Sequence, residues 1–340
     1  MKTYTIRDIA ALAGVSVTTV SRVLNHRPDV NRETREKIEK IIAEHHFIGN
    51  TNARGLKQSS EVIGMVIRGR SNPFLNALSE AILCKASLMD DTFITESIDE
   101  KDDEFKTAQR IILQHRVKGL LFVGSLIDER VRVLHGLDIP VVFTTVSAKN
   151  AALPLASSVS VNDRAMGKVV ADALFDLGHR RVAAFGSNPV AGDSLAMRFQ
   201  GFCEGWEAHG LSFRPEDYRE CRFSYESGYE TALAYFAGHP ETTALFAMSD
   251  SMAVGAIRAL KDLGLRVPED VSVVGFDGTD ISRFSIPRLS TVAQPVDEIA
   301  RQSILLLTDM LENGAAPRHV LVDAVWQPRE SVAAPIRKGD

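Results

Sequence analysis

The sequence predicts an α/β body of two doubly wound parallel-sheet lobes, preceded by an all-α helix-turn-helix head. The first 46 residues show helical periodicity only, whereas from Val62 onward short apolar runs alternate with longer amphipathic stretches. This alternation of strand and helix is typical of βαβ units and a parallel sheet. Roughly ten strands exceed what one compact sheet usually holds, so two similar lobes are expected.

The composition is typical of an ordinary globular protein, since 45% of the 340 residues are hydrophobic and 24% are charged. No run approaches 18 consecutive apolar residues, so no membrane-spanning helix is expected. The first eight residues lack the apolar stretch of a signal peptide, which predicts a cytoplasmic protein. Cys84, Cys203 and Cys221 are widely spaced, which argues against a disulfide scaffold or a cysteine zinc site. Neither a metal nor a cofactor is expected.

The charge is distributed unevenly along the chain. Residues 1–60 contain ten lysines and arginines against six acids, a formal charge of +4, although the whole chain carries −5. The other 280 residues therefore carry −9. A small basic head on an acidic body indicates that only the head meets a polyanion.

Three short helices are predicted in the head. Their candidate N-caps are Thr5, Ser16 and Asn31, and Gly14 separates the first helix from the second. Asp8 stands at the third helical position of the first helix, which makes a weak capping box with Thr5. The periodic apolar positions are Ile6, Ile9, Ala10, Ala13, Val20, Val23, Leu24, Ile38, Ile41 and Ile42.

The first two helices have the residue types that a helix-turn-helix crossing requires. Ala10 is small where the helices pass closest, Gly14 tolerates positive φ in the turn, and Val20 is β-branched and packs onto the small residue. A generic three-helix cap would carry carboxylates on its exposed second helix, but no acid lies between residues 15 and 28. The pattern therefore predicts DNA binding through the second helix.

Groove chemistry assigns roles to the outward side chains of the head. Val17 and Thr18 begin the second helix and are expected to reach base edges, while Arg22 presents a bidentate fork to guanine. Short donors near helix N-termini are expected to contact phosphates. These are Thr5, Ser16, Thr19, Ser21, Asn25 and Thr34. One head covers a single half-site, so a homodimer on near-palindromic double-stranded DNA is expected.

The chain resembles the lactose-repressor (LacI/GalR) family of transcriptional regulators over nearly its whole length. Three of the matching motifs are Val17-Thr18-Thr19-Val20-Ser21-Arg22-Val23-Leu24-Asn25, Gly178-His179-Arg180-Arg181-Val182 and Val267-Pro268-x-Asp270-Val271-Ser272. Further matches are residues 5–10, 34–35, 50–56, 198–202, 249–256 and 287–295. The resemblance implies two lobes of periplasmic-binding-protein type that hold an effector between them.

The resemblance also implies a hinge that becomes helical only on the operator. Within it, Asn50 and Ala53 contact DNA and Leu56 wedges into the minor groove. A segment this short that carries Gly55 does not hold a helix by itself. The residues alone are equally consistent with a flexible tether and an incidental leucine. Gly49 stands where the family usually has proline.

No catalytic motif is found in the body, and a non-enzyme is expected. The sequence contains no GxSxG, GxGxxG, GxxxxGK[ST] or HExxH pattern. His45 and His46 are interpreted as a solvated cation pair at a helix end, and His179 as a helix-end cap after Gly178.

The effector-binding residues are expected at the carboxyl ends of strands, where open α/β sheets bind ligands. Arg198 and Asp277 match the polar anchors of the family. The other candidates are Asn72, Phe74, Thr145, Phe223, Ser249, Asp250 and Gln294. This mixture of polar and aromatic groups suits a sugar. The alternatives are a surface ion pair for Arg198, a core position for Phe223 and a helix N-cap for Asp250.

The predicted organisation is a head at 1–46, a hinge at 47–60 and an effector-binding and dimerisation body at 61–340. The N-lobe is expected at about 61–161 and 291–322, and the C-lobe at about 162–290 and 323–340. The leading hypothesis is a repressor controlled by a small effector, most simply a carbohydrate. The alternatives are a solute-binding protein with a vestigial head and a sugar-processing enzyme fused to such a head.

Overall fold

The computed structural model describes most of the head and nearly all of the body. The described residues are 6–24, 27, 30–44, 61–87, 89–188 and 193–336. Several residues with predicted roles lie outside these ranges, as does the hinge: Thr5, Asn25, His45, His46, Asn50, Ala53 and Leu56. Among the described residues, no helix is both long enough and apolar enough to cross a membrane.

The head consists of α1 (Ile6–Ala13), α2 (Val17–Leu24) and α3 (Arg32–Glu44). Gly14 adopts a φ of +68° in the turn, as its position predicts. The Ser16 hydroxyl accepts a hydrogen bond from Thr19 N at 3.1 Å, and Asn31 Oδ1 accepts one from Thr34 N at 2.8 Å. Two of the three predicted N-caps are therefore confirmed, and the third, Thr5, lies outside the described residues.

The core of the head is formed by the apolar positions that the helical spacing predicts. Its buried members are Ile9, Ala10, Ala13, Val20, Val23 and Ile38. Because Ala10 has only a methyl group, α1 and α2 approach closely enough for Val20 to be fully buried. The crossing predicted from residue types is the one observed.

Twelve strands are present in the described part of the body. They are β1 (Val62–Arg68), β2 (Thr92–Ile98), β3 (Val117–Val123), β4 (Val141–Thr144), β5 (Ala156–Val161), β6 (Val182–Gly186), β7 (Tyr218–Glu220), β8 (Ala244–Ala247), β9 (Ser272–Asp277), β10 (Ser290–Ala293), β11 (His319–Val322) and β12 (Val325–Gln327).

Eight α-helices accompany these strands in the same part of the chain. They are α4 (Pro73–Ala86), α5 (Glu104–Gln114), α6 (Asp163–Asp176), α7 (Ser194–Ala208), α8 (Tyr225–Phe236), α9 (Asp250–Asp262), α10 (Ile281–Phe284) and α11 (Val296–Asn313). Short 3₁₀ helices cover Glu129–Leu134 and Pro215–Asp217.

The strands form two six-stranded sheets, one in each lobe. The order in the first sheet is β11-β5-β4-β3-β1-β2, and all its neighbours are parallel. The order in the second sheet is β12-β10-β9-β8-β6-β7, in which only β12 is antiparallel to its neighbour. The predicted fold class of two doubly wound parallel-sheet lobes is confirmed.

The chain passes between the lobes three times, after β5, after β10 and after β11. The second crossing was expected at residue 291, but β10 pairs with β9 and β12 in the second sheet. The return to the first lobe therefore lies beyond Ala293. The apolar character of this short strand alone does not reveal which sheet receives it.

Each lobe has apolar cores on both faces of its sheet. In the first lobe, Phe122 and Phe143 stack with their ring centroids 5.0 Å apart. In the second lobe, Phe202 and Trp206 stack at 5.6 Å. The inner strands are almost wholly buried because helices cover both faces, which is the expected state of a parallel sheet, whereas the edge strands β2, β7, β11 and β12 are partly exposed.

Two glycines allow α6 and α7 to pack backbone against backbone. A Cβ at Gly167 would lie 2.0 Å from the Arg198 carbonyl oxygen, and one at Gly201 would lie 1.9 Å from that of Arg164. Only glycine fits at either position without displacing the neighbouring backbone. This close approach brings the start of α6 beside the middle of α7.

Candidate functional site

The outward face of α2 presents the three side chains expected to read bases. Val17 is 41% exposed, and Thr18 and Arg22 are also exposed. Val20 and Val23 point the other way into the head core. The helix therefore separates an accessible polar face from a buried apolar one, which is the arrangement a groove-binding helix needs.

The expected phosphate-contacting side chains lie beside this face. Ser16 is exposed, Thr19, Ser21 and Thr34 are half-buried, and the Ser16 and Thr19 hydroxyls are 2.9 Å apart. Ser16 is thus engaged as the cap of α2, which keeps the first turn of that helix in place. A capped helix N-terminus with neighbouring hydroxyls is suited to a phosphate oxygen.

A cavity of about 470 Å³ lies between the two lobes. It opens at the carboxyl ends of parallel strands from both sheets. The side chains that contact it include Arg68, Asn72, Phe74, Lys101, Thr145, Ser194, Arg198, Arg222, Phe223, Asp277 and Gln294. Seven of the nine predicted effector residues are brought together here, although they span more than 220 residues of sequence.

The first-lobe wall of this cavity is built around the start of α4. Asn72 is buried, and its Oδ1 accepts a hydrogen bond from Phe74 N at 3.0 Å. This cap fixes the direction in which α4 begins, and Phe74, which follows it, is buried in the lobe core and also lines the cavity. Thr145 lies beyond β4 with a φ of 81°, in the left-handed region.

Arg198 is the central cation of the second-lobe wall. Its Nη2 and Nε donate to Asp163 Oδ1 at 2.8 and 3.1 Å, and its Nη1 donates to the Met248 carbonyl at 2.6 Å. The guanidinium also lies over the Phe276 ring, 3.3 Å from its centroid. A guanidinium has five N–H donors, so two remain for a group in the cavity.

Asp277 stands at the end of β9 with a φ of 117°, and Gln294 Nε2 donates to its Oδ1 at 2.9 Å. Burial raises the pKa of the Asp277 carboxyl well above its usual range, and Asp250 adds to this effect while Arg198 opposes it. Hydroxyl donors from a ligand would favour the ionised form. The pair can therefore fix the position of polar groups on a bound molecule.

Two sets of contacts join the lobes across the cavity. The Ser194 hydroxyl donates to the Thr145 carbonyl at 2.6 Å. The Arg222 guanidinium, which follows β7 in the second lobe, contacts Glu100 at 2.6 Å and Asp99 at 2.7 Å in the first lobe. These contacts hold the two walls at the separation seen here.

Comparison with known proteins identifies the family. Residues 5–50 match the model described as bacterial regulatory proteins, lacI family, and residues 171–332 match the periplasmic binding protein-like domain. The transcriptional regulator MalR of Clostridium butyricum is 31% identical over 335 residues, covering 96% of this chain and 98% of that protein. The chain belongs to the LacI family of bacterial transcriptional regulators.

Solved structures of this family have the same architecture. The Lac repressor dimer bound to operator and the anti-inducer ONPF is 28% identical, with a TM-score of 0.71, and covers 98% of this chain and 100% of that chain. The complex of the transcriptional regulator CelR with cellobiose is 26% identical, with a TM-score of 0.72, and covers 96% and 99%. The resemblance inferred from the motifs is confirmed.

Two predicted effector residues of this LacI-family regulator do not reach the cavity. Ser249 is fully buried and caps α9 by accepting a hydrogen bond from Met252 N at 3.2 Å. Asp250 is also fully buried, and its carboxylate accepts hydrogen bonds from Thr279 and Thr291 at 2.6–2.8 Å. Both lie behind the wall: Ser249 is turned inward by its local cap of α9, and Asp250 by its hydrogen bonds to the distant Thr279 and Thr291.

Other interpretations also require correction. Arg198 is not a surface ion pair, since it is only 5% exposed. His179 does cap the end of α6 through its backbone N–H, which donates to the Leu174 carbonyl at 3.1 Å, but its side chain is fully buried and its Nε2 donates to the Ala333 carbonyl at 3.0 Å. Burial lowers the pKa of His179 to about 4. Phe223 fits both interpretations, a core position and an effector contact, because it packs on the second-lobe core and also lines the cavity.

Several charged residues at the cavity were not predicted from the sequence. Arg68, Lys101 and Arg222 all contact it. The strand-end rule contains a signal for Arg68, which is the last residue of β1, and for Lys101, which follows β2. Arg222 follows β7, a three-residue edge strand too short to stand out as an apolar run.

Proposed function

We propose that this LacI-family regulator is a sequence-specific repressor whose affinity for operator DNA is controlled by a small carbohydrate in the interlobe cavity. The observation that carries the proposal is the convergence of Arg198, Asp277 and two aromatic walls on one cavity between hinged lobes. The crystallised CelR holds cellobiose and the crystallised Lac repressor holds operator DNA, which supports both halves of the proposal.

The carbohydrate is proposed to lie between Phe74 and Phe223, with its hydroxyls on Arg198 and Asp277. Aromatic rings cover the C–H faces of sugars, while guanidinium, carboxylate and amide groups pair their hydroxyls. Asn72, Thr145 and Gln294 complete this set. A cavity of about 470 Å³ accommodates a mono- or disaccharide. The sugar is bound and released chemically unchanged.

On the DNA side, Val17, Thr18 and Arg22 are proposed as base readers. The proposed phosphate contacts are Thr5, Ser16, Thr19, Ser21, Asn25 and Thr34, with Asn50, Ala53 and Leu56 in the hinge. Phosphate contacts position the head, and the three readers on α2 select the sequence. The function requires access to DNA, which places the protein in the cytoplasm.

The proposed active form is a homodimer. Phe284 is 71% exposed and Ile286 is 94% exposed, and the two lie within one short segment of the second lobe. Two adjacent apolar side chains at this exposure favour a protein interface over a solvated surface. A second copy of the chain is the proposed occupant, since a near-palindromic operator needs two heads. Replacing both residues with aspartate should yield a monomer in sedimentation experiments, whereas Leu321→Asp at the far edge of the first sheet should not.

The proposed control is an energetic coupling between the effector site in the cavity and the DNA-binding head. A sugar that prefers one lobe arrangement shifts the separation of the two heads, and a coupling of about 1–3 kcal/mol changes operator affinity roughly 5–150-fold. Such a change of lobe angle would break or rearrange the interlobe contacts of Ser194 and Arg222.

The direct test selects operators from a genomic library with the full-length protein and then titrates a panel of mono- and disaccharides that includes cellobiose. We expect a near-palindromic site, and at least one sugar that changes operator affinity at constant salt. Arg22→Ala should relax base choice in each half-site, with Arg32→Ala on α3 as the matched control. Sugar binding without any specific DNA site would instead indicate a solute-binding protein with a vestigial head, and turnover of a sugar would indicate an enzyme.

A further inference from the structure

The basic side chains that contact the interlobe cavity fall into two groups, and the acids Glu100, Asp193, Glu220 and Asp277 line the same cavity. Arg198 is paired with Asp163, and Arg222 with Asp99 and Glu100. Arg68 and Lys101 also contact the cavity, and no carboxylate of the described residues lies within ion-pair distance of either one. The first-lobe wall therefore presents two cations without an ion-paired acid. The charge of Arg68 still acts on Glu104 and Asp128, since it works to lower the pKa of both carboxyls.

These two cations are neighbours in space. Arg68 ends β1, and its Nη2 donates to the carbonyl of Glu100, the residue before Lys101. The parallel pairing of β1 with β2 places Arg68 opposite Ile98. Arg68 and Lys101 therefore both lie at the carboxyl ends of these two strands. Arg68 Nε is buried and has no hydrogen-bond partner in the described part of the chain. An unsatisfied buried donor of a charged group is costly unless a ligand completes it.

Nearby acids are already engaged. Asp128 is bonded to Arg130 at 2.7–2.9 Å, and Asp102 lies 4.0 Å from Arg70. Glu104, behind the wall, accepts hydrogen bonds from Ser125 Oγ and Leu126 N at 2.7 and 2.8 Å. Burial raises the pKa of Glu104 to about 7, so part of it is uncharged near neutral pH.

The helix α4 adds to the positive character of this wall. It runs for 14 residues from Pro73, and its first turn contacts the cavity through Phe74 and Leu75. The amino end of a helix carries a partial positive charge that favours anions. It lies on the same wall as Arg68 and Lys101.

Resting on the function proposed above, we propose that the effector is an anionic sugar, whose acid group binds Arg68 and Lys101 while its hydroxyls bind Arg198 and Asp277. The acid group accepts the hydrogen bonds that the Arg68 guanidinium does not make within the protein, and it faces the start of α4. A carboxylate and a phosphate share this chemistry. Charge-assisted hydrogen bonds of this kind are the stronger ones in proteins, and one or two of them correspond to a gain of about tenfold or more in affinity.

The test measures binding of matched sugars to the full-length protein by calorimetry. The two series are D-glucose, D-glucuronate and D-glucose 6-phosphate, and D-galactose, D-galacturonate and D-galactose 6-phosphate, with inorganic phosphate as a further probe. In at least one series a charged member should bind about tenfold or more tightly than the neutral sugar. Comparison of the uronate with the phosphate identifies which acid group is recognised.

Variants assign that gain to the two cations. Arg68→Gln and Lys101→Gln should each lose most of the gain from charge, while Arg70→Gln, a neighbouring cation outside the cavity, should retain it. Lys101 is exposed, so its replacement is compatible with folding even if that of Arg68 is not. If both variants still bind the charged sugar more tightly than the neutral one by the same factor as the wild type, the proposal is overturned.

The remaining outcomes separate this inference from the proposed function. Equal affinity for neutral and charged members overturns the anionic sugar and leaves a neutral sugar effector. If no sugar binds but inorganic phosphate raises the melting temperature of the wild type and not of the double variant, the anion site stands and the sugar is wrong. If neither these sugars nor phosphate bind, the anionic sugar is overturned, and the operator titration with the wider panel of mono- and disaccharides decides the proposed function.

Discussion

Arg198 and Asp163 form a buried ion pair at the crossing of α6 and α7, with Arg198 Nη2 2.8 Å from Asp163 Oδ1 and both side chains 6% exposed. Burial raises the pKa of Asp163, and Arg198 is what opposes that rise. The residue proposed to hold the effector is therefore also the counter-ion of a buried acid.

Arg198→Ala should destabilise the second lobe as well as abolish the effector response. The change leaves the Asp163 carboxyl buried without its partner, which costs about 3–5 kcal/mol. Urea denaturation should show this loss in the single variant. Asp163→Leu combined with Arg198→Met should recover much of the stability but not effector binding; a single variant as stable as the wild type would contradict the buried pair.

Asp277→Asn should weaken the effector response about tenfold or more while operator binding persists. An asparagine here offers one acceptor oxygen where the carboxylate offers two, and Gln294 already occupies one of them. Fluorescence anisotropy on operator DNA, with and without the sugar, measures both properties. Asp262→Asn, at the end of α9 and outside the cavity, is the matched control, and an unchanged response at Asp277→Asn would remove this residue from the site.

Glu104→Gln should change how stability depends on pH. Burial raises the pKa of Glu104 from 4.5 to about 7, so between these values the folded chain binds more protons than the unfolded one. Its contribution is complete below about pH 4.5 and is lost as the pH rises to about 7, a change of up to about 3 kcal/mol. Denaturation at a series of pH values should show the wild type losing stability relative to the variant over this window. Parallel curves would mean that the group titrates normally.

His179→Gln should produce the opposite trend. Burial lowers the pKa of His179 from 6.5 to about 4, so the unfolded chain binds more protons between these values. The histidine therefore contributes fully above about pH 6.5, and its contribution is lost as the pH falls to about 4, again by up to about 3 kcal/mol. The advantage of the wild type over the variant should grow with pH across that interval. His209→Gln, a partly exposed histidine paired with Asp172, serves as the comparison.

Much of the head could be predicted because its determinants are local. The caps Ser16 and Asn31 act within three residues, and the core positions follow the helical repeat. In the body, the alternation of apolar runs with amphipathic stretches predicted roughly ten strands, and twelve are present in the described residues. Short strands such as β7 and β12 are hard to recognise because three residues carry little periodic signal.

The candidate site likewise combines features that the sequence predicts with features that depend on tertiary contacts. Strand-end logic found Asn72, Thr145 and Asp277, but it also selected Ser249 and Asp250, which lie at the end of β8 and face inward. Whether a polar residue at a strand end faces the cavity depends on its hydrogen bonds to distant segments, such as those of Asp250 to Thr279 and Thr291. Residue types alone do not contain that information.

The sequence by itself determined the three-helix head, the outward face of α2, the two parallel-sheet lobes and the family, because helical and strand periodicity and short motifs are written in neighbouring residues. Only the tertiary structure decided which charges meet across the cavity. Arg222 reaches Asp99 across 123 positions of chain, and Arg68 is left beside Lys101 without an ion-paired acid among the described residues. These relationships depend on how the strand ends of the two lobes face each other. Each lobe contains strands from distant parts of the chain.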